Sequence, residues 1–314
     1  MAMDRSNTQA FNDAEKYTDF IIQTLPDILL PEGLYRNVTD FGDGTTLNIP
    51  TIGAATIQEV AEGVPLTFNA IDSGTVTLQI TVYVGDAWFV SDEARQDHRR
   101  LASLEAARAM ESTRALAERH ETRLLEVCNA AQTNGAANTI NGVAHRLAST
   151  ATGNVIDLDH FRFMKYAFDK ARVPQGGRIA IVDPSVEYVL NGLTQVVTSD
   201  NPQFEGIITE GFAREHRFIR NFYGWDIWTS DMLAKGTFSD GTTTVSDTAV
   251  ANVFMSVISD QHTPIMYAER VAPTVEGWRD PEERRDKFQT TKRDGWGAQR
   301  ADTLGIVITD TDVL

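Results

Sequence analysis

Between Ser91 and Ala131 the chain contains neither glycine nor proline and consists largely of Ala, Leu, Glu and Arg, the residues that oppose a helix least. Ser91 or Asp92 can cap its start, and Asn134 with Gly135 can end it. A helix of ~41 residues spans ~60 Å, whereas a chain of 314 residues folded as one ball is only ~50 Å across. The rod therefore predicts an elongated molecule, or one component of a larger surface. Leu101, Leu104, Ala107, Leu124 and Cys128 fall near one stripe of it, and Glu105 with Arg108 and Arg114 with Glu118 have the spacing of helical ion pairs.

Immediately before the rod, Val76, Leu78, Ile80, Val82 and Val84 alternate with Thr75, Thr77, Gln79, Thr81 and Tyr83. Period two is the signature of a strand, and roughly ten residues of it reach ~33 Å. With the turn and short strand of Gly42–Pro50, residues 42–85 predict a two-stranded finger whose tip lies among the glycines at 53, 63 and 74. An isolated hairpin is marginal in water, so the apolar face of the finger requires a covering surface. Residues 11–30 carry Ala14, Tyr17, Ile21, Leu25 and Ile28 at helical spacing, broken by Pro26 and Pro31, and read as an arm that lies on something else.

From residue 157 the texture is α/β. Phe161, Met164, Phe168 and Ala171 mark a helix that stops before Pro174. "RIAIV" reads as a buried strand, after which Asp183 can cap and Pro184 can open a helix carrying Val186, Val189, Leu190, Leu193 and Val197. Trp225 and Ile227 share one face of a strand with Trp228 on the other, residues 236–248 read as a polar loop, and "VANVFMSVISD", "TPIMYAERV" and the C-terminal segment read as strands. No internal repeat or linker separates the regions, which predicts interwoven lobes.

Few chemistries fit this composition. The net charge of −16, from 44 acidic against 28 basic residues, disfavours gripping nucleic acid or anionic lipid. One cysteine, Cys128, excludes an internal disulfide. The N-terminus lacks the apolar core of a signal peptide and no run is long enough to span a bilayer, which predicts a soluble protein with no membrane partner. The histidines show no metal-binding spacing, the glycine-rich phosphate turns and the G-x-S-x-G elbow are absent, and Asp183 reads as a helix cap. No catalytic residue, cofactor or metal is expected. The mixed-charge cluster "RDPEERRDKFQTTKRDG", residues 279–295, reads as a solvated or subunit-facing surface.

The order of parts, with "VPQGGRIAIVDPSVEYVL" (173–190), "GWDIWTSDML" (224–233) and "LQITVYVGDAWFVSDEARQD" (78–97), resembles the major capsid proteins of tailed double-stranded-DNA bacteriophages, the Hong Kong ninety-seven fold family. The resemblance implies an α+β fold with an N-terminal arm (1–41), an extended β-hairpin loop (42–85), a spine helix with part of the P domain (86–139), an A domain (140–255) and a return to the P domain (256–314). It implies a non-enzymatic subunit that self-assembles into hexamers and pentamers of an icosahedral head shell around phage DNA, in a virion assembled in the host cytoplasm. The extended loop would lie over a neighbouring subunit and the arm would reach another.

Candidate contacts between subunits are Tyr17 and Ile21 in the arm, Gly63, Val64 and Pro65 in the loop, and Arg284, Arg285 and Lys287 in the charged cluster. Partners expected are further copies of the chain, a portal and a separate scaffolding protein, the last because almost nothing precedes the arm. The family's best-known member cross-links its extended loop through a lysine, but residues 42–85 here contain none, which predicts a non-covalent shell. An encapsulin-type nanocompartment shell of the same fold is the alternative. An α/β enzyme using Asp183 is a third reading, and Asp183→Asn would abolish its turnover.

Overall fold

The computed structural model describes residues 30, 33–38, 44–53, 55, 57–63, 65, 66, 68, 70–97, 101–133, 139–192 and 217–311. In chain order the elements begin with β1 (Arg36–Asn37), β2 (Thr46–Ile52), β3 (Ser73–Gln79), β4 (Val82–Ser91), α1 (Asp92–Asp97) and α2 (Leu101–Ala131). The middle of the chain forms β5 (Thr139–Ile140), β6 (Val143–Ala144), β7 (Arg146–Ala148), α3 (Leu158–Lys170), β8 (Arg178–Val182) and α4 (Pro184–Gly192). Then come β9 (Arg217–Phe222), β10 (Trp225–Thr229), β11 (Lys235–Ser239), β12 (Thr244–Ser256), β13 (Ile265–Asp280), β14 (Arg285–Ala298) and β15 (Leu304–Asp310).

One lobe is a sheet ordered β7-β15-β12-β8-β10-β9, with β11 hairpinned onto β12. Every residue of β8 is buried because both faces of this sheet are covered. Ala180, Val182, Trp225, Ile227, Phe254 and Val307 pack with α3 and α4 on one side. Ile179, Ile181, Val253, Met255, Ile306 and Ile308 pack with Leu124, Leu125 and Cys128 of α2 on the other. Alternate residues of each strand thus serve opposite layers. Asp157 and His160 form a capping box at the start of α3, and Asp183 opens α4 by accepting from Ser185 N at 2.9 Å.

The second lobe is a sheet ordered β1-β13-β14-β4, from which β2 and β3 project as a separate two-stranded ribbon. The predicted finger is present, in the register Leu47 opposite Leu78 and Ile49 opposite Val76. Its second strand is shorter than the alternation suggests. β3 stops at Gln79 and pairs with β2, while β4 starts at Val82 and pairs with β14, so the run of 75–84 is divided between two sheets at Ile80–Thr81. The corner sits directly on β14: a Cβ at Gly295 would lie 2.4 Å from the Gln79 carbonyl oxygen, and one at Gly297 would meet Leu78. Two glycines let the backbones cross where any larger residue would separate them.

Of the rod predicted over 91–131, α1 and α2 are described. α2 has 31 residues, ~46 Å by its rise, and residues 98–100, between α1 and α2 in the sequence, lie outside the described set. Its described length alone therefore fits within a ~50 Å ball. Its stripe divides in two: Leu124 and Cys128 are buried, but Leu104 is 57% exposed. Arg108 pairs with Asp86 at 2.7 Å rather than with Glu105, which faces Arg95 at 3.7 Å, while Arg114 does pair with Glu118. The segment 236–248 is the β11–β12 hairpin and not a loop, because its polar residues pair across strands. The charged cluster likewise belongs mostly to β14, and its Lys292 is buried. β12 runs across the expected boundary at 255/256, and β15 returns to the first sheet.

Candidate subunit-contact surfaces

Three regions bear on contact: the finger, the β13–β14 tip and the joint between the lobes. On the finger and its connecting segment, Phe68 is 97% exposed, Ile57 93%, and Ile52 and Ile71 82% each. Leu66 is also more than half exposed. At ~25 cal/mol per Å2 of apolar surface, such a cluster is costly to leave in water. Gly63 turns the segment with φ +81°, and Pro65 is exposed beside it. Val64, Tyr17 and Ile21 lie outside the described residues.

The β13–β14 tip is charged and tied to its own chain. Arg279 reaches Asp92 at 2.5 Å and Asp286 at 3.2 Å, and Arg95 reaches Asp286 at 2.5 Å. Lys287 pairs with Asp280 and Glu283, both at 2.6 Å, and Arg285 pairs with Glu283 while stacking on Phe89. Lys287 holds the Asp280 carboxyl down at about 2. Arg284 occupies the turn at φ +51° and makes no ion pair among the described residues. Of the three cationic candidates, two are thus engaged within the subunit, and exposed pairs of this kind contribute little to stability.

At the joint, α2, β13, β14 and residues 34–38 converge on His120. Its Nδ1 lies 3.1 Å from Lys292 Nζ and its Nε2 lies 3.0 Å from the Tyr35 hydroxyl. An ammonium can only donate, so Nδ1 accepts and the ring is the neutral Nε2–H tautomer. Burial, reinforced by Lys292, pushes the His120 pKa down to about 4. Trp296 and Tyr267 pack on the same ring, Tyr267 donates to Glu269 at 2.8 Å, and Lys292 lies 3.4 Å from Asp294. Burial raises the Asp294 pKa.

Two further buried groups anchor α2. Glu121 accepts from Leu30 N at 2.8 Å and from Ser230 Oγ at 2.5 Å. Arg146 donates to the Gln132 carbonyl at 2.9 Å and the Ser239 carbonyl at 2.7 Å, closing the end of α2 against the first sheet. None of the joint residues belonged to the predicted contacts. The cue in the sequence was Lys292, Asp294 and Trp296 at alternate positions, with Arg293 and Gly295 between them. Elsewhere, burial pushes the Cys128 thiol pKa up, out of nucleophilic range. Among the described residues no three His, Cys, Asp or Glu side chains form a metal-binding group, and no helix is long and apolar enough to cross a membrane.

The family model described as "Phage capsid protein" matches residues 73–309, from the second finger strand through β15. The chain belongs to the phage capsid protein family. No curated protein matches its sequence. Among solved structures, the capsid of the cyanophage P-SCSP1u is similar at TM-score 0.72 and 18% identity, over 96% of this chain and 93% of that one. The cyanophage Pam1 capsid gives TM-score 0.72 at 12% identity over 100% of both chains, and the structure titled Mycobacterium phage Che8 gives 0.61 at 18%, over 93% and 98%. The fold of this capsid protein is the α+β Hong Kong ninety-seven type, as the order of its segments suggested. Its family and its structural neighbours are structural proteins of the virion shell.

Proposed function

We propose that copies of this chain assemble into hexamers and pentamers that close as an icosahedral head shell around phage double-stranded DNA. The observation that carries the reading is the finger, whose Ile52, Ile57, Phe68 and Ile71 are each more than four-fifths exposed. Laid over a neighbour, these side chains leave water at the same time as the neighbour's surface does. Repetition over a closed lattice multiplies a modest contact. Gly63, Val64, Pro65 and Arg284 remain candidate contacts on this reading. Lys287 and Arg285 would shape the charged tip more than bridge subunits.

The absence of lysine from residues 42–85 supports a shell held without covalent links through the finger. The charge of −16 supports a wall along which packaged DNA slides. A separate scaffolding protein, a portal and assembly in the host cytoplasm complete the proposal. Electron microscopy of the expressed chain, with and without the neighbouring viral genes, tests it: closed shells with five-fold and six-fold capsomers are expected. A compact monomer at high concentration under every condition would overturn it, and small uniform shells filled with protein would point to a nanocompartment.

A further inference from the structure

Two successive residues of α2 hold the segment that leads into β1. His120 Nε2 lies 3.0 Å from the Tyr35 hydroxyl, and Glu121 accepts from Leu30 N at 2.8 Å. The other ring nitrogen of His120 accepts from Lys292 of β14 at 3.1 Å, so one imidazole bridges α2, the lead segment and the sheet. That bridge exists in a single protonation state, because an ammonium has no lone pair to offer. A proton on Nδ1 would set two cations 3.1 Å apart beside the buried Lys292, where water screens them little.

The surroundings give an imidazolium little relief. β13 supplies Tyr267 and Glu269, the carboxylate lying 3.7 Å from Lys292 and already accepting from Tyr267. β14 supplies Asp294, 3.4 Å from Lys292, whose pKa burial raises, so that it loses its charge earlier than an ordinary carboxylate as pH falls. β4 contributes Val82 and Val84, and α2 itself adds Arg119 and Arg123, which share Glu126. At neutral pH Lys292 faces two carboxylates; in acid, with Asp294 neutral, Lys292 and an imidazolium would share Glu269. Burial and Lys292 accordingly hold the His120 pKa near 4.

We propose that His120 is an acid-released latch: a proton taken up from solvent at Nδ1 breaks its bond to Lys292 and lets α2 part from β14 and Tyr35 while the first sheet stays folded. The C-terminal half of α2 keeps its place through Leu124, Leu125 and Cys128, and through the 2.5 Å bond between Glu121 and Ser230. Opening therefore starts on the N-terminal side of Glu121. The latch belongs to the single subunit, and the inference stands whether or not shells form.

Double electron–electron resonance tests it on the full chain, spin-labelled through Thr113→Cys on α2 and Val275→Cys on β13, two exposed positions that line the cavity between these elements. Cys128 is fully buried and stays unlabelled. Labelled chains are diluted into unlabelled ones, so that distances within one subunit are read in assembled and unassembled samples alike, and circular dichroism reports global unfolding. The expected result is one distance at pH 7 and a second, longer one whose population relative to the first grows about tenfold per pH unit between 6.5 and 4. His120→Gln, whose amide can accept from Lys292 and donate to Tyr35 without titrating, should keep the short distance throughout. Should that variant fail to fold, Lys292→Met removes the facing cation and should likewise suppress the longer distance. A short distance unchanged down to pH 4, a longer one that persists in either variant, or opening only together with loss of the helical signal would each overturn the proposal.

Discussion

The β8 strand and the finger are both rich in β-branched residues, yet they meet opposite environments. All of β8 is buried between helices on two faces, whereas the connecting segment of the finger holds Phe68 and Ile57 almost wholly in water. The contrast recurs within α2, whose C-terminal half is buried at Leu124, Leu125 and Cys128 while its N-terminal half exposes Leu104 and Met110. Apolar content alone therefore does not mark a core. One lobe holds the buried core, and the projecting elements carry exposed apolar side chains.

This comparison can be broken or sharpened by measurement. The largest effect on subunit stability is expected from Phe161→Ala, since Phe161 is fully buried and packs edge-on against Phe222 at 5.0 Å and Phe254 at 5.5 Å. Denaturant unfolding should show a loss of about 3–5 kcal/mol, and a loss below 1 kcal/mol would mean the lobe is not the stabilising core.

A smaller effect should appear with acid. His120 is held near 4 against an ordinary value of 6.5, so the unfolded chain takes up its proton first as pH falls. Stability from this group is complete above about pH 6.5 and is lost on the way to pH 4. Burial also lowers the pKa of His145 and His160, which act in the same direction. His120→Gln should flatten part of the slope of urea midpoint against pH. An unchanged slope would remove His120 from the joint's acid response.

Asp183→Asn should cost at most ~1 kcal/mol, because asparagine also caps helices. A multi-kilocalorie loss of thermal stability would instead give this carboxylate a role beyond its bond to Ser185 N. Smallest of all, Phe68→Ser should leave the unfolding midpoint of isolated subunits within about 0.5 kcal/mol while lowering particle yield in sedimentation. Unfolding of the subunit by this change would erase the distinction between the two regions.

What could be read from the residues alone was whatever rests on local spacing. The Asp183 cap, the apolar run of β8, the stripe of α3 and the alternation of the finger all depend on neighbours within a few positions. Their order along the chain was enough to suggest the family. Partners distant in sequence were decided only by the tertiary structure. Alternation continues unbroken through Ile80 and Thr81, so period could not reveal that β3 and β4 join different sheets. The far end of β13 and most of β14 are hidden for a related reason, since their charges face one another across the hairpin and read as a solvated run. The joint at His120 gathers residues from positions 35, 120, 267, 292 and 296, and only burial, which sums contacts over the whole chain, turns them into one site.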